Sequence, residues 1–192
     1  MRAVNQITKL TTKRLIIREW KPSDWRAAHV YAADPETVKF MPWGPNTESD
    51  TKNFIRKAMG YRLSRPRTQY EFAITLKGTG ELIGGRGIGR RRQHPKIGII
   101  GYCLNKAYWN KGYGTEAAKA LIEFGFTRLA LHKISALCDP ENIGSNQVLK
   151  KSGMKLEGRL KENFALKGRW ADEMLYSILE HEWNPQMRVY PD

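Results

Sequence analysis

Residues 100–117 read Ile-Gly-Tyr-Cys-Leu-Asn-Lys-Ala-Tyr-Trp-Asn-Lys-Gly-Tyr-Gly-Thr-Glu-Ala. The first five residues end an apolar run that suits a strand. Beyond Gly114, Ala118, Leu121, Ile122, Gly125 and Leu129 recur at three and four residues, with Glu116, Lys119 and Glu123 off that stripe. That spacing predicts an amphipathic helix over Thr115–Ala130. A strand, a glycine-bearing turn and a helix start together form an anion site. Gly112 and Gly114 permit close approach, and first-turn amides have no intrahelical acceptor, so they can point at phosphate oxygens. A diphosphate suits such a turn. Two glycines ahead of a helix equally suit a tight turn and a packing contact. The stretch lacks the third glycine of a dinucleotide fingerprint and the Gly-Lys-Ser/Thr ending of a P-loop.

Working outward toward the N-terminus, Lys96–Leu104, Leu82–Arg90 and Tyr70–Leu76 read as strands, separated by a basic hairpin tip and a Lys77–Gly80 turn. Thr47–Leu63 has Phe54, Ile55, Ala58 and Tyr61 on one face and predicts a helix. Asp34–Asn46, with Pro35, Pro42, Gly44 and Pro45, is a loop. Ser23–Ala33 reads as a helix capped by Ser23, after a strand at 13–20. Toward the C-terminus come a strand at His132–Cys138, a helix at Asn142–Ser152 ended by Gly153, and a hairpin of Met154–Leu166 with Arg169–Leu179 around Lys167-Gly168. This order mixes local hairpins with crossovers, which predicts an α+β fold with helices packed on a mixed sheet.

The chain has 192 residues, a length for one domain, with a core expected over about residues 13–183. Hydrophobic residues make up 41%, which excludes disorder, and apolar runs such as Ile97–Leu104 are interrupted by Gly and too short to span a bilayer. Two cysteines, Cys103 and Cys138, cannot build a disulfide framework, and no signal peptide is evident, so a reducing cytoplasm is expected. No Cys/His spacing suggests a metal. Thirty-three Lys and Arg against nineteen Asp and Glu leave a net charge of +14. Such an excess implies nucleic acid, an acidic protein or a phosphorylated cofactor as partner.

Several stretches carry a family resemblance: the Leu15–Glu19 strand, IIGYCL at 99–104, YWNKGYGTEA at 108–117, DPENIGSNQVLKKSGM at 139–154 and GRWADEMLYSIL at 168–179. In combination they resemble the GNAT superfamily of acyl-CoA N-acyltransferases, especially its RimJ/RimL-like branch, which acetylates protein N-termini. The resemblance implies a mostly antiparallel mixed sheet flanked by helices and splayed between its fourth and fifth strands, here 96–104 and 132–138. It also implies acetyl-CoA as co-substrate. Carried over by position, it sets the diphosphate against the backbone of Asn110, Lys111, Gly112, Tyr113, Gly114 and Thr115. Pantetheine would run along Tyr102, Cys103 and Leu104, with the amide near Cys103 or Leu104 polarising the thioester carbonyl. Asn142 matches the family's pantetheine contact, and Asn146, one turn on, is a further cofactor candidate.

The family pattern is departed from in three respects. Trp109 stands where Gln or Arg is usual, removing one polar contact. Leu149 replaces the Tyr assigned as general acid, leaving Ser145 as the candidate hydroxyl, with a cap or surface role as its alternative. Ile99 and Ile100 stand where relatives carry a carboxylate, so no base is assigned. Glu71 and Asp172 are candidates, though for each a surface or structural role carries more weight, and water can serve because an α-amine with a pKa near 8 is partly neutral at pH 7.

Cys103 reads as a buried small hydrophobe rather than an acyl carrier, which favours direct transfer. His94 and His132 read as a loop residue and a strand start. Basic residues gather at Arg86, Arg90–Arg92 and Lys96, and at Arg56, Lys57, Arg62, Arg65 and Arg67. They form a solvated face or a seat for an acidic acceptor or ribosomal RNA, while Lys111, Lys150 and Lys151 suit the adenosine end. Phe40–Trp43, Trp170 and Tyr176 are candidates for lining the acceptor mouth, core packing being the default for Trp170. The implied activity is acetyl transfer to the α-amine of a protein, a ribosomal one first. The alternatives are a small-molecule amine acetyltransferase and a non-catalytic CoA- or ribosome-binding module, as a monomer or homodimer with no membrane association.

Overall fold

The computed structural model describes residues 8–184. In chain order these form β1 (Lys9–Thr11), β2 (Leu15–Glu19), α1 (Trp25–Ala32), α2 (Glu48–Gly60), β3 (Gln69–Leu76), β4 (Leu82–Arg90), β5 (Ile97–Leu104), α3 (Tyr113–Thr127), β6 (Lys133–Cys138), α4 (Ile143–Lys151), β7 (Lys155–Leu166) and β8 (Arg169–Leu179). The strands make one sheet in the order β1-β2-β3-β4-β5-β6-β8-β7. Among the described strands only β5 and β6 run parallel. The α+β class and the mostly antiparallel sheet are those expected from the sequence.

Alternating side chains bury both faces of the sheet. On one face α3 packs Leu121 and Phe124 against Ile17, Phe72, Ile74 and Ile88. Phe124 meets the rings of Tyr70 and Phe72 edge-on at 5.4 and 5.8 Å, contacts worth ~0.5–1.5 kcal/mol each beyond burial. On the other face α1 and α2 cover Trp20, Ala73 and Leu82 with Ala28, Tyr31, Ile55 and Ala58. Helix α2 starts on a capping box in which Thr47 and Asp50 satisfy each other's backbone N–H.

Three local readings change. The short β1 was not expected from the sequence; three residues are too few to show a period. Ser23 caps nothing, because Pro22–Asp24 is a single 3-10 turn. Asp24 anchors it, accepting from Lys21 N at 2.7 Å and from the Arg18 guanidinium at 2.7 and 2.8 Å. Glu123, placed by periodicity off the apolar stripe, is 4% exposed. It lies two turns on from Glu116, on the arc of α3 that Glu116 docks onto Thr12 and Arg14 at the start of β2, away from the Gly114 side that meets α4.

The feature that positions the site is a gap in the sheet. Strands β5 and β6 pair only through Ile97–Lys133, Gly98–Ile134 and Ile99–Ser135. Beyond these, β6 stays with β8, down to Cys138–Met174, and β5 stays with β4, down to Leu104–Gly84. The two strands therefore splay, leaving the 100–104 edge of β5 unpaired by strand.

Candidate functional site: two clefts meeting on one strand

Asn105 N donates to Ile83 O at 2.9 Å across β4 and β5. Antiparallel pairs alternate between hydrogen-bonded and not, so in this register Cys103 exchanges bonds with Gly85, while Tyr102 and Leu104 turn their N–H and C=O toward the gap. Leu104 O is already taken by the Trp109 indole N–H at 2.8 Å. Trp109 thus supplies a polar contact of its own, directed at the strand. Of the two amides left open by the sequence, only that of Leu104 faces the gap.

The turn after β5 passes through two left-handed residues, Asn110 (φ 58°) and Gly112 (φ 79°). Asn tolerates this region better than most side chains, and Gly occupies it without cost. Gly112 caps α3, and the first helical bond there is Glu116 N to Gly112 O at 3.1 Å. The amides of Tyr113, Gly114 and Thr115 precede it and carry the positive end of the helix dipole. The turn is latched to the start of β2. The Glu116 carboxylate accepts from Thr12 Oγ1 (2.6 Å), Arg14 N (2.8 Å) and Arg14 Nε (2.7 Å), and Arg14 also donates to Lys111 O (2.9 Å). Burial raises the Glu116 carboxyl, and the hydrogen bonds from Thr12 and Arg14 outweigh that, leaving it below its ordinary value. Gly114 serves packing as well: a Cβ there would lie 3.1 Å from Val148 Cγ2 on α4.

Across the gap, Asn142 caps α4 by accepting from Ser145 N at 3.0 Å. Ser145 Oγ lies 2.9 Å from the Tyr102 hydroxyl, so the two form a pair spanning the gap. Burial pushes the Tyr102 phenol well above its ordinary value, which keeps it protonated. Tyr102, Cys103, Leu104, Asn110, Gly112, Gly114, Thr115, Asn142 and Ser145 all line one cleft of ≈ 620 Å³. Lys151 joins them.

The side chains of three proposed cofactor residues are engaged elsewhere, which leaves the Lys111 and Tyr113 backbone, the part expected to meet a diphosphate, in the turn. The Lys111 ammonium donates to Ala107 O at 2.9 Å. Tyr113 lies beneath the Arg14 guanidinium, 4.4 Å from its ring centre. Asn146 is buried and committed internally: its Nδ2 donates to Asn142 O (2.9 Å) and Asp139 O (3.1 Å), and its Oδ1 accepts from Tyr176 OH (2.9 Å). Asn146 therefore holds the α4 entry loop.

On the opposite face of the sheet lies a second cleft, of ≈ 910 Å³, which shares Met41, Tyr102 and Cys103 with the first. Its floor is nearly free of side chains. A Cβ on Gly101 would meet nothing within 4 Å, and one on Gly87 would lie 2.5 Å from both Glu71 carboxyl oxygens. Glu71 thus lies across Gly87, facing the strand that the first cleft shares. Burial pushes its carboxyl up to about 7, against the pull of the Lys57 ammonium. Burial also pushes the Cys103 thiol up to about 12, which keeps it protonated.

Asp172, the other candidate base, lies on the β7–β8 hairpin outside both clefts. It accepts from Glu162 N (2.8 Å) and Arg159 Nε (2.6 Å), which hold it below the usual carboxylate range. Phe40 and Met41 line the first cleft, and Met41 and Trp43 the second, so the aromatic loop runs past both. Trp170, at 66% exposure, is not core, and Tyr176, at 1%, lines no mouth. Part of the basic cluster is structural, because Arg62 and Arg67 pair with buried Glu19 at 3.2 and 2.7 Å. His132 lies 3.1 Å from Glu180. Among the described residues no cluster of His, Cys, Asp and Glu could hold a metal, and no helix is long and apolar enough to cross a membrane. The sequence reading missed Tyr31, Gln69, Gly85 and Gly87 as cleft residues. The one available signal was the run of glycines at alternate positions in β4.

A profile of the acetyltransferase (GNAT) domain matches residues 14–155. An uncharacterized N-acetyltransferase of Bacillus subtilis, YnaD, is 40% identical over 91% of this chain and 99% of its own length. The crystal structure of an acetyltransferase of the GNAT family from Bacillus anthracis superposes with a TM-score of 0.82 at 36% identity, covering 91% of this chain and 99% of that one. More distantly, the Escherichia coli [ribosomal protein uS5]-alanine N-acetyltransferase is 26% identical over 92% of this chain and 93% of its own.

Proposed function

This chain belongs to the GNAT family of N-acetyltransferases, and on that premise we propose that it transfers acetyl from acetyl-CoA directly to the N-terminal α-amine of a protein, in the RimJ/RimL manner. The observation that carries the reading is the junction of the two clefts at Tyr102 and Cys103, where a donor on one face and an amine on the other meet through the gap. Acetyl-CoA supplies the activated acetyl thioester and a thiol leaving group. The chain's residues fit it: the amides of Gly112–Thr115 suit the diphosphate, the Tyr102 main chain and Asn142 suit pantetheine, and Lys151 suits the adenosine end.

In this reading Leu104 N–H is aimed at the carbonyl oxygen that gains negative charge, and its direction is fixed beforehand by the β4 ladder and the Trp109 bond. Glu71 takes the proton from the incoming ammonium. An α-amine titrates near 8 and Glu71 near 7, so the transfer is uphill by only ~1.4 kcal/mol; an ordinary carboxyl would make it about 5. Ser145, backed by the protonated Tyr102, is placed to return a proton on the donor side. The protonated Cys103 offers no thiolate for an acyl relay, which favours direct transfer.

The protein-terminus assignment draws support from the similarity to the uS5-alanine enzyme. We place the reaction in the cytoplasm, in keeping with two unbridged thiols. Calorimetric titration with acetyl-CoA, followed by initial rates on peptides with free N-termini beside polyamines and aminoglycosides, tests both parts. We expect binding and peptide turnover. Absence of binding sinks the enzyme mechanism in favour of a non-catalytic module, and turnover of small amines alone sinks the peptide assignment.

A further inference from the structure

The acceptor cleft does not stop at Glu71. It continues along β3 and β4 past Gln69 and Gly89 to Arg90 and Ile99, where the β4–β5 hairpin tip begins. Lys57 of α2 forms its wall beside Glu71, close enough to lower that carboxyl's pKa. Arg91, Arg92 and Lys96 on the tip are all exposed, as is Lys57. Among the described residues no carboxylate forms an ion pair with any of the four, although twelve ion pairs occupy other cations. Asp50, the other acid lining the cleft, is bound to its own cap residue Thr47 at 2.6 and 2.9 Å. The outer end of the cleft thus opens between Lys57 in its wall and the exposed Arg91, Arg92 and Lys96 just beyond its rim, while Glu71, with Arg86 also in the lining, marks its inner end.

We infer that the acceptor is a polypeptide with a free α-amine and acidic side chains at about its third to sixth residues, the amine going to Glu71 and the acidic groups to Lys57, Arg91, Arg92 and Lys96. The inference rests on the reading of this cleft as the acceptor site. Length sets the register. From Gly87, opposite Glu71, to Arg90 is three strand residues, ~10 Å, and the tip cations begin ~3–7 Å further on. An extended peptide spans ~3.4 Å per residue, so its fourth to sixth residues come abreast of the tip, while the second and third pass Lys57. Nucleic acid fits the charge but presents no aliphatic amine to the inner end. A polyamine presents the amine but meets a wall of like charge within a field set by a net +14.

The test uses the whole protein, acetyl-CoA and four peptides that share a length and a free N-terminal Ala. Three carry Glu, Gln or Lys at positions three to six, and the fourth is the Glu peptide with a blocked N-terminus as competitor. At 25 mM NaCl we expect kcat/KM for the Glu peptide to exceed that of the Gln peptide about tenfold and the Lys peptide about a hundredfold, with the gaps closing several-fold at 300 mM. The blocked Glu peptide inhibits competitively. Arg91→Glu combined with Arg92→Glu, on an exposed tip and checked by thermal melting, reverses the order of Glu and Lys. Equal kcat/KM for all peptides overturns this inference and leaves peptide acetylation standing. No turnover of any peptide, with small amines accepted, overturns the reading beneath it. A tip variant that keeps the peptide order but loses affinity for a single-stranded RNA oligomer assigns the patch to RNA and overturns the inference.

Discussion

The two clefts on β5 are made of different material. The donor cleft is mostly backbone: a free strand edge at Tyr102 and Leu104, a turn through Asn110 and Gly112, and the open amides of α3. Most of its lining falls in two short runs, 102–115 and 142–151. The second cleft, proposed for the acceptor, is built from side chains of α1, α2, β3, β4 and β5 around a floor rich in glycine, and its lining comes from several separated stretches. A ligand held by main chain is recognised by conformation, which few residue types permit. A ligand held by scattered side chains leaves each of those residues free to change, which is how one scaffold can keep its donor and vary its acceptor.

Filling either cleft or removing its chemistry tests that division. The largest effect is expected from Gly144→Trp. A Cβ at Gly144 would have only Asn142 Oδ1 near, at 3.8 Å, so the indole enters the donor cleft and α4 loses no packing. Acetyl-CoA affinity should fall about 100-fold, some 2.7 kcal/mol, with an undiminished Tm; unchanged affinity would place the donor elsewhere. Gly114 is a poorer site for this test, because Val148 fills the space beside it.

Next is Glu71→Gln, which should lower kcat/KM about 100-fold and abolish the rise in wild-type activity through a pH of about 7. The same substitution has a thermodynamic signature. The folded carboxyl titrates at about 7, above the ordinary 4.5, so the folded state binds more protons than the unfolded between those values. Its contribution is fully present below pH 4.5 and is lost as pH rises to about 7, at most ~3 kcal/mol. Glu71→Gln should therefore gain stability over wild type at pH 8 and not at pH 4, as read by urea melts. Equal melts at both would remove the buried-carboxyl explanation.

Ser145→Ala should cost about tenfold in kcat with acetyl-CoA affinity within about twofold, since its hydroxyl faces Tyr102 while Asn142 uses only its backbone N–H. Full turnover removes Ser145 from the proton path. The smallest effect belongs to Cys103→Ala, expected to retain activity within about threefold. A loss comparable to that of Glu71→Gln would revive a thiol acyl carrier.

The sequence was most legible where conformation is dictated locally. The apolar period placed α3 within two residues of its start, and Lys167-Gly168 marked the β7–β8 turn correctly. Much of the first cleft's lining followed because Gly112 and the α3 start are neighbours in sequence. Legibility failed where the partner is remote. Asn142 and Asn146 look alike in sequence, but only the fold shows that Tyr176, thirty residues on, takes the second. Glu71 carried no mark separating it from Asp172. What distinguishes them is a glycine on the next strand in one case and an Arg and a backbone amide in the other.

The gap between β5 and β6 also bears on how the protein avoids its neighbours. An unpaired strand edge at the rim of a sheet is a template for aggregation, open to any passing chain. Here the 100–104 edge lies in the middle of an eight-stranded sheet, between β4 on one side and the Ser145 end of α4 on the other. Apart from Leu104 O, which Trp109 takes, its hydrogen-bonding groups remain available, but only to something slender enough to enter between two walls. The same edge that would make another sheet sticky is, by its position, a size filter, and occupation by a ligand also stabilises the fold by mass action.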